Sequence, residues 1–186
     1  MRVIFPDLTG HGDSSRANVN EVSIKYYSKE LISLLDKLKL KSAVFYGYSA
    51  GGAIAQCISS HYRDRVDGLI LFGGYRAVLN TLLKWEHKLG MIIITHHKSI
   101  LANILAISHT KNENYKKLLI THMNKSQQDV WYKYYQEVLQ MNLIEDIKNI
   151  NVPMLLMYGT KSDLINQQGS FSKKQQTTKY QLTNGD

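Results

Sequence analysis

The chain has 186 residues, 44% of them hydrophobic, enough for one domain with a substantial core. Its single cysteine, Cys57, excludes an internal disulfide and suits a reducing, cytoplasmic setting. The net charge of +8 comes from scattered lysines rather than a long basic run interleaved with aromatics, so nucleic acid is not an expected partner.

The chain opens on Val3-Ile4-Phe5, which reads as a short buried strand closed by Pro6. The glycine-rich loop Asp7-Leu8-Thr9-Gly10-His11-Gly12-Asp13-Ser14 follows. From Ser23 to Leu40, apolar Ile24, Tyr27, Leu31, Leu34, Leu35 and Leu38 recur at helical spacing, with Ser23 as N-cap. Lys37 and Lys39 suit the negative end of that helix.

Ala43-Val44-Phe45-Tyr46 is short, aromatic and β-branched, hence a strand. It runs into Gly47-Tyr48-Ser49-Ala50-Gly51-Gly52, and then into a small-residue helix over Gly51–His61. A strand that reverses into a helix so quickly needs glycine where the backbones pass, and Gly47 and Gly51 fill that need on either side of the turning residue. Ser49 is then held at the tip of a strained turn with its hydroxyl presented outward. Cys57, on the apolar helix that follows, reads as a small core residue.

Val66–Phe72 reads as another buried strand, ended by Gly73-Gly74. From Tyr75 to Ile150 the pattern is helical, with helices expected at Leu79–Leu89, Met91–Ser108, Asn112–Asn124 and Gln127–Met141. The apolar stretch from Leu89 to Ile107 is interrupted by Thr95, His96, His97, Lys98, Ser99 and Asn103, so a membrane span is not expected. The run from Asn151 to Asp163 holds a fully apolar strand with Pro153 at its first position, and Gly159 and Asp163 follow its carboxyl end. Gln167–Thr178 is polar and reads as a surface helix or loop, and the tail Thr178–Asp186 reads as a last strand and turn. Alternating strands and helices predict parallel crossovers, hence an α/β sheet flanked by helices.

In three places, and in order, the chain resembles the α/β-hydrolase fold family. These are the Asp7–Ser14 loop, the G-x-S-x-G elbow at Gly47–Gly51, and the proline-led strand followed by Gly159 and Asp163. The resemblance implies a mostly parallel sheet with a helical lid inserted after the sixth family strand, and with the first three family strands absent. It divides the chain into 1–74 and 151–186 for the two parts of the core and 75–150 for the cap. It places the nucleophile on Ser49, the orienting acid on Asp163 and one oxyanion donor on the backbone N–H of Ala50. The family's histidine would follow a final strand and turn, and is expected as the residue after Asp186. His11, His61, His87, His96, His97, His109 and His122 are read as structural.

What the resemblance implies is a serine hydrolase acting on a carboxylic ester or a related acyl or C–C bond, with no cofactor and no metal. Its substrate would be small and apolar or amphipathic. Trp85, Trp131, Tyr132, Tyr134 and Tyr135 supply aromatic surface in the cap, of which at most a third is expected to touch substrate. Serine rather than aspartate at the elbow argues against the dehalogenase and epoxide-hydrolase branches. A lyase or acyltransferase on the same scaffold stays open, as does a non-catalytic binding module. Without the third family strand, Ala43–Tyr46 would form an open apolar edge, which favours association.

Overall fold

The computed structural model describes residues 2–74, 77–79 and 81–159, together with strand residues 177–182. The elements in order are α1 (Ile24–Lys37), β1 (Ala43–Tyr48), α2 (Gly51–His61), β2 (Val66–Phe72), α3 (Thr81–His109), α4 (Glu113–Lys125), α5 (Gln128–Gln140), α6 (Ile144–Ile147), β3 (Met154–Gly159) and β4 (Thr177–Leu182). The residues fall into two compact units, one of Met1–Ser23 with Trp85–Glu137, the other of Ile24–Lys84 with Val138–Asp186. In this partition the first loop groups with the helical segment.

The second unit is a parallel α/β sheet in the order β1-β2-β3-β4. Register runs from Tyr46 opposite Ile70 and Ile70 opposite Leu155 to Leu155 opposite Thr178. Parallel pairing follows from the crossovers: α2 returns the chain from β1 to β2, and the helices α3 to α6 intervene before β3. Helix α2 packs on β1, β2, α1 and α6. Its Ala53, Ile54, Ala55, Cys57 and Ile58 are buried, as are Leu69 and Leu71 of β2 and Leu156 of β3. Cys57 is thus a core residue, and burial pushes its thiol above the ordinary value. Arg65 fixes the entry to β2 by donating to Asp36 Oδ1 at 2.6 Å and to the Lys41 carbonyl at 2.8 Å.

Among the described residues β1 is a sheet edge, and along it one face is more exposed than the other. Val44, Tyr46 and Tyr48 are exposed while Gly47 is buried. Val3–Phe5 corrects the sequence expectation: it is not a strand, and Phe5 is 88% exposed. A three-residue apolar run has too few ladder bonds to hold itself extended without a partner strand, and no described strand pairs with it.

The helical unit holds a core of Ile94, Leu101, Ala102 and Trp131, with Met123 and Tyr135 packed against it. Two of the expected helices meet at a different place. Helix α3 continues through Gly90 and departs from helical geometry only at His97 (φ −146°, ψ 64°). Gly90 serves packing instead: a Cβ there would lie 2.7 Å from the Tyr135 ring. Helix α4 starts where Asn112 accepts from the Tyr115 N–H at 3.0 Å, an ordinary N-cap. The short helix α6 and a bridge between Ala77 and Asn142 were not signalled by periodicity, since four residues are too few to show it.

Candidate active site

β1 ends at Tyr48, and Ser49 takes φ +49°, a left-handed conformation that costs a non-glycine residue roughly 1–2 kcal/mol. The turn is held from both sides. The Ser49 N–H donates to the Phe72 carbonyl at 2.9 Å, and the Ser49 carbonyl accepts from the Gly52 N–H at 2.9 Å. The first bond ties the tip to the carboxyl end of β2, and the Gly73 N–H in turn donates to the Met157 carbonyl of β3 at 2.8 Å. Ser49 therefore stands at the carboxyl edge of a parallel sheet, half-buried, where open α/β sheets place their ligands.

Ala50 is the N-cap of α2, with φ −58° and ψ −31°. Its peptide stands at the positive end of the helix dipole. That is a position suited to developing negative charge on a substrate oxygen.

The glycines divide the work differently from the sequence expectation. A Cβ on Gly47 would sit 2.6 Å from Gly52 Cα and 2.9 Å from the Gly51 carbonyl oxygen, so the strand and helix cross there in direct backbone contact. A methyl group added to Gly51 would meet no atom within 4 Å, so no clash requires glycine there. The second partner in the crossing is Gly52, whose Cα meets Gly47 and whose own Cβ would lie 3.4 Å from Gly74 Cα. The doublet Gly51-Gly52 carried that signal without saying which member was needed.

Asp163 lies outside the described residues. His61 is placed at the opposite end of α2 from Ser49, and that helix of 11 residues spans about 16 Å at its ordinary rise. Its Nδ1–H instead donates to the Cys57 carbonyl at 3.0 Å, closing the last turn. Tyr48, beside the tip, stacks tilted on Phe72 with ring centroids 5.6 Å apart, and burial raises its hydroxyl pKa.

The Asp7–Ser14 loop belongs to the helical unit, and its pattern has a local physical reason. The Asp7 carboxylate accepts from the Asp13 N–H at 2.9 Å, and the Ser14 hydroxyl donates to the Asp7 carbonyl at 2.6 Å. Gly12, at φ +55°, leaves room for that carboxylate, since a Cβ would fall 2.3 Å from Asp7 Cγ. Two long-range pairs then fasten the loop to α4: Asp7 with His122 at 2.9 Å and Asp13 with Lys125 at 2.7 Å. The Asp13 N–H bond, with His122 adding to it, holds the Asp7 carboxyl below its usual range. These pairings span more than 100 residues, and no spacing in the sequence announced them.

A family model described as serine aminopeptidase, S33, matches residues 1–183. The chain belongs to this family. Its fold is the α/β-hydrolase fold, as two solved structures also show. An esterase from Exiguobacterium antarcticum superposes with TM-score 0.79 at 15% identity, covering 95% of this chain and 71% of that one. A structure from a study of Nitrososphaera gargenis carboxylesterases gives TM-score 0.80 at 15% identity, covering 97% and 70%. At such identities the likeness speaks for the fold alone. A putative esterase/lipase from Mycoplasma pneumoniae is 27% identical over 123 residues, 60% of this chain. The S33-family chain spans 46% of that relative's length.

The S33 assignment and the all-parallel order of β1 to β4 agree with the expected fold class. Within the expected cap, Trp131 and Tyr135 pack into the helical unit's own core, so they are structural there. Tyr134 meets His11 edge-on with ring centroids 6.5 Å apart, and Trp85 is 68% exposed.

Proposed function

We propose that this protein is an esterase-like serine hydrolase in which Ser49 is the nucleophile. The carrying observation is the positive φ of Ser49 at a turn whose tightness Gly47 permits. Backbone strain at a polar residue on a sheet's carboxyl edge is a reason to look for chemistry there.

In this reading the Ser49 hydroxyl attacks an acyl carbon while a histidine, third in the family's order after Asp163 and not one of the seven histidines of this sequence, takes its proton. Asp163 fixes that histidine's tautomer and stabilises its cation. The Ala50 N–H holds the oxyanion of the tetrahedral intermediate. The histidine then protonates the leaving alcohol, and water releases the acid from Ser49. A carboxylic ester, or a related acyl or C–C bond, is the reacting group. The chemistry calls for no cofactor and no metal. A small apolar or amphipathic substrate and a cytoplasmic setting complete the proposal.

Labelling with a serine-directed fluorophosphonate, followed by peptide mapping, tests it. Modification at Ser49 that disappears in Ser49→Ala is the expected result. A folded protein that is never labelled and turns over no aryl ester would instead be a binding module on the same scaffold.

A further inference from the structure

Helix α3 carries more apolar surface than its own unit covers. Its most apolar 18-residue window has a mean hydropathy of 1.4, yet only 28% of that window is buried. A core helix of this composition would be mostly buried. The exposed apolar residues are ordered: Trp85, Leu89 and Ile92 recur at helical spacing before the break at His97, and Ile100, Ile104 and Ile107 recur after it. Trp85, Leu89 and Ile92 are 68%, 57% and 59% exposed, and Ile107 is 63% exposed.

Spanning a membrane is a poor use of this helix. His96, His97, Lys98, Ser99 and Asn103 interrupt it, and the break leaves two segments each shorter than the roughly 20 residues a span needs. Lying flat on a lipid surface asks for less: one apolar stripe, with cations and an aromatic belt at its border.

The charges fit that demand. Between Trp85 and Lys125 there are six lysines (Lys88, Lys98, Lys111, Lys116, Lys117 and Lys125) against two acids, Glu86 and Glu113. Lys98 is used internally, donating to the Asn124 and Ser126 carbonyls, while Lys116 pairs with Glu113 and Lys125 with Asp13. Lys88, Lys111 and Lys117 stay exposed, and the Lys88 ammonium lies over the Trp85 ring, 5.6 Å from its centroid. Lysine is depleted from interfaces between proteins, but at an anionic bilayer its stem lies along apolar surface while its head meets phosphate.

We propose that the exposed face of α3 docks this protein on an anionic phospholipid surface, with the Trp85, Leu89, Ile92 stripe and its continuation entering the headgroup boundary. The inference goes beyond the serine chemistry and does not depend on it, so Ser49→Ala is expected to bind lipid as the parent does.

Co-sedimentation of the full chain with vesicles of phosphatidylcholine, alone or with about one part in three phosphatidylglycerol, tests it. Binding to the mixed vesicles only, weakened by salt, is expected. Each lysine near such a surface contributes about a fivefold preference, so Lys111→Ala with Lys117→Ala should lower partitioning about 25-fold. Ile92→Asp with Ile104→Asp should abolish it while leaving circular dichroism and thermal midpoint unchanged. Equal binding to both vesicles, or binding to neither, overturns the proposal. So does a lipid-free dimer in which Trp85 is shielded from iodide, which would assign the face to a second copy of the chain.

Discussion

The two units use apolar residues in opposite ways. In the sheet unit, Leu69, Leu71 and Leu156 vanish beneath α2 and its neighbours, and exposure is concentrated on the edge strand β1. In the helical unit, an equally apolar helix leaves Trp85, Leu89, Ile92 and Ile107 in solvent. Apolar content alone does not say which side of a surface a residue will occupy. In the sheet, β2 and β3 each have strand neighbours on both sides, and the crossover helix α2 packs on β2. A long helix must wait for whatever its remaining face is made to meet.

Glycine shows the same contrast. In the sheet unit Gly47 lets backbone touch backbone at the turn that presents Ser49. In the helical unit Gly10, Gly12 and Gly90 make room for side chains: Val130, the Asp7 carboxylate and the Tyr135 ring. A side chain can yield by a rotamer change. A backbone fixed by strand and helix hydrogen bonds cannot, so the same methyl group is expected to do more harm in one unit than in the other.

The largest expected effect falls on the sheet unit's chemistry. Ser49→Ala should lower kcat by about a thousandfold or more in an ester-hydrolysis assay while the thermal midpoint stays within error, because alanine accepts the same turn. Next comes Gly47→Ala, expected to cost about 3 kcal/mol or more of unfolding free energy in a urea titration, since the clash is with the backbone of Gly52. Gly90→Ala should cost less, about 1–2 kcal/mol, because the Tyr135 ring can shift. Equal losses at positions 47 and 90 would break the distinction between backbone and side-chain contacts.

A pH effect should separate the units further. Burial pushes His11 below its ordinary value, Asp7 opposing and His122 reinforcing that shift. The unfolded chain therefore binds a proton on His11 that the folded form resists. Stability from this group is full above the unfolded value of 6.5 and declines as pH falls through it toward the depressed folded value. Protection factors at residues 7–14, measured against the intrinsic exchange rate at each pH, should fall between pH 7 and pH 5 in the native protein, and a His11→Asn variant should lose that dependence. The smallest change is expected at Gly51→Ala, within about 0.5 kcal/mol of the parent, because open space surrounds the position. A large loss there would restore Gly51 to the crossing.

Much of the sheet unit was legible beforehand. The limits of α2 and β2 coincide with those read from the residues, because a glycine doublet starts one and Gly73-Gly74 ends the other. The edge position of β1 followed from strand count, and among the described residues it pairs with β2 alone. The Val3–Phe5 run was misread because its composition suits a strand while no described strand pairs with it. In the helical unit, Gly90 suggested a break, yet the break fell at His97, where no residue type signals one.

Composition and local pattern by themselves determined the alternation of strand and helix, the tight turn at Ser49 and the presence of helices between β2 and β3. Each of these depends on residues within a few positions of one another. Tertiary structure alone decided that Asp7 meets His122, that Asp13 meets Lys125, and which stripe of α3 is left in water. Those outcomes turn on contacts between segments brought together only by folding, and no periodicity along the chain encodes a distance across it.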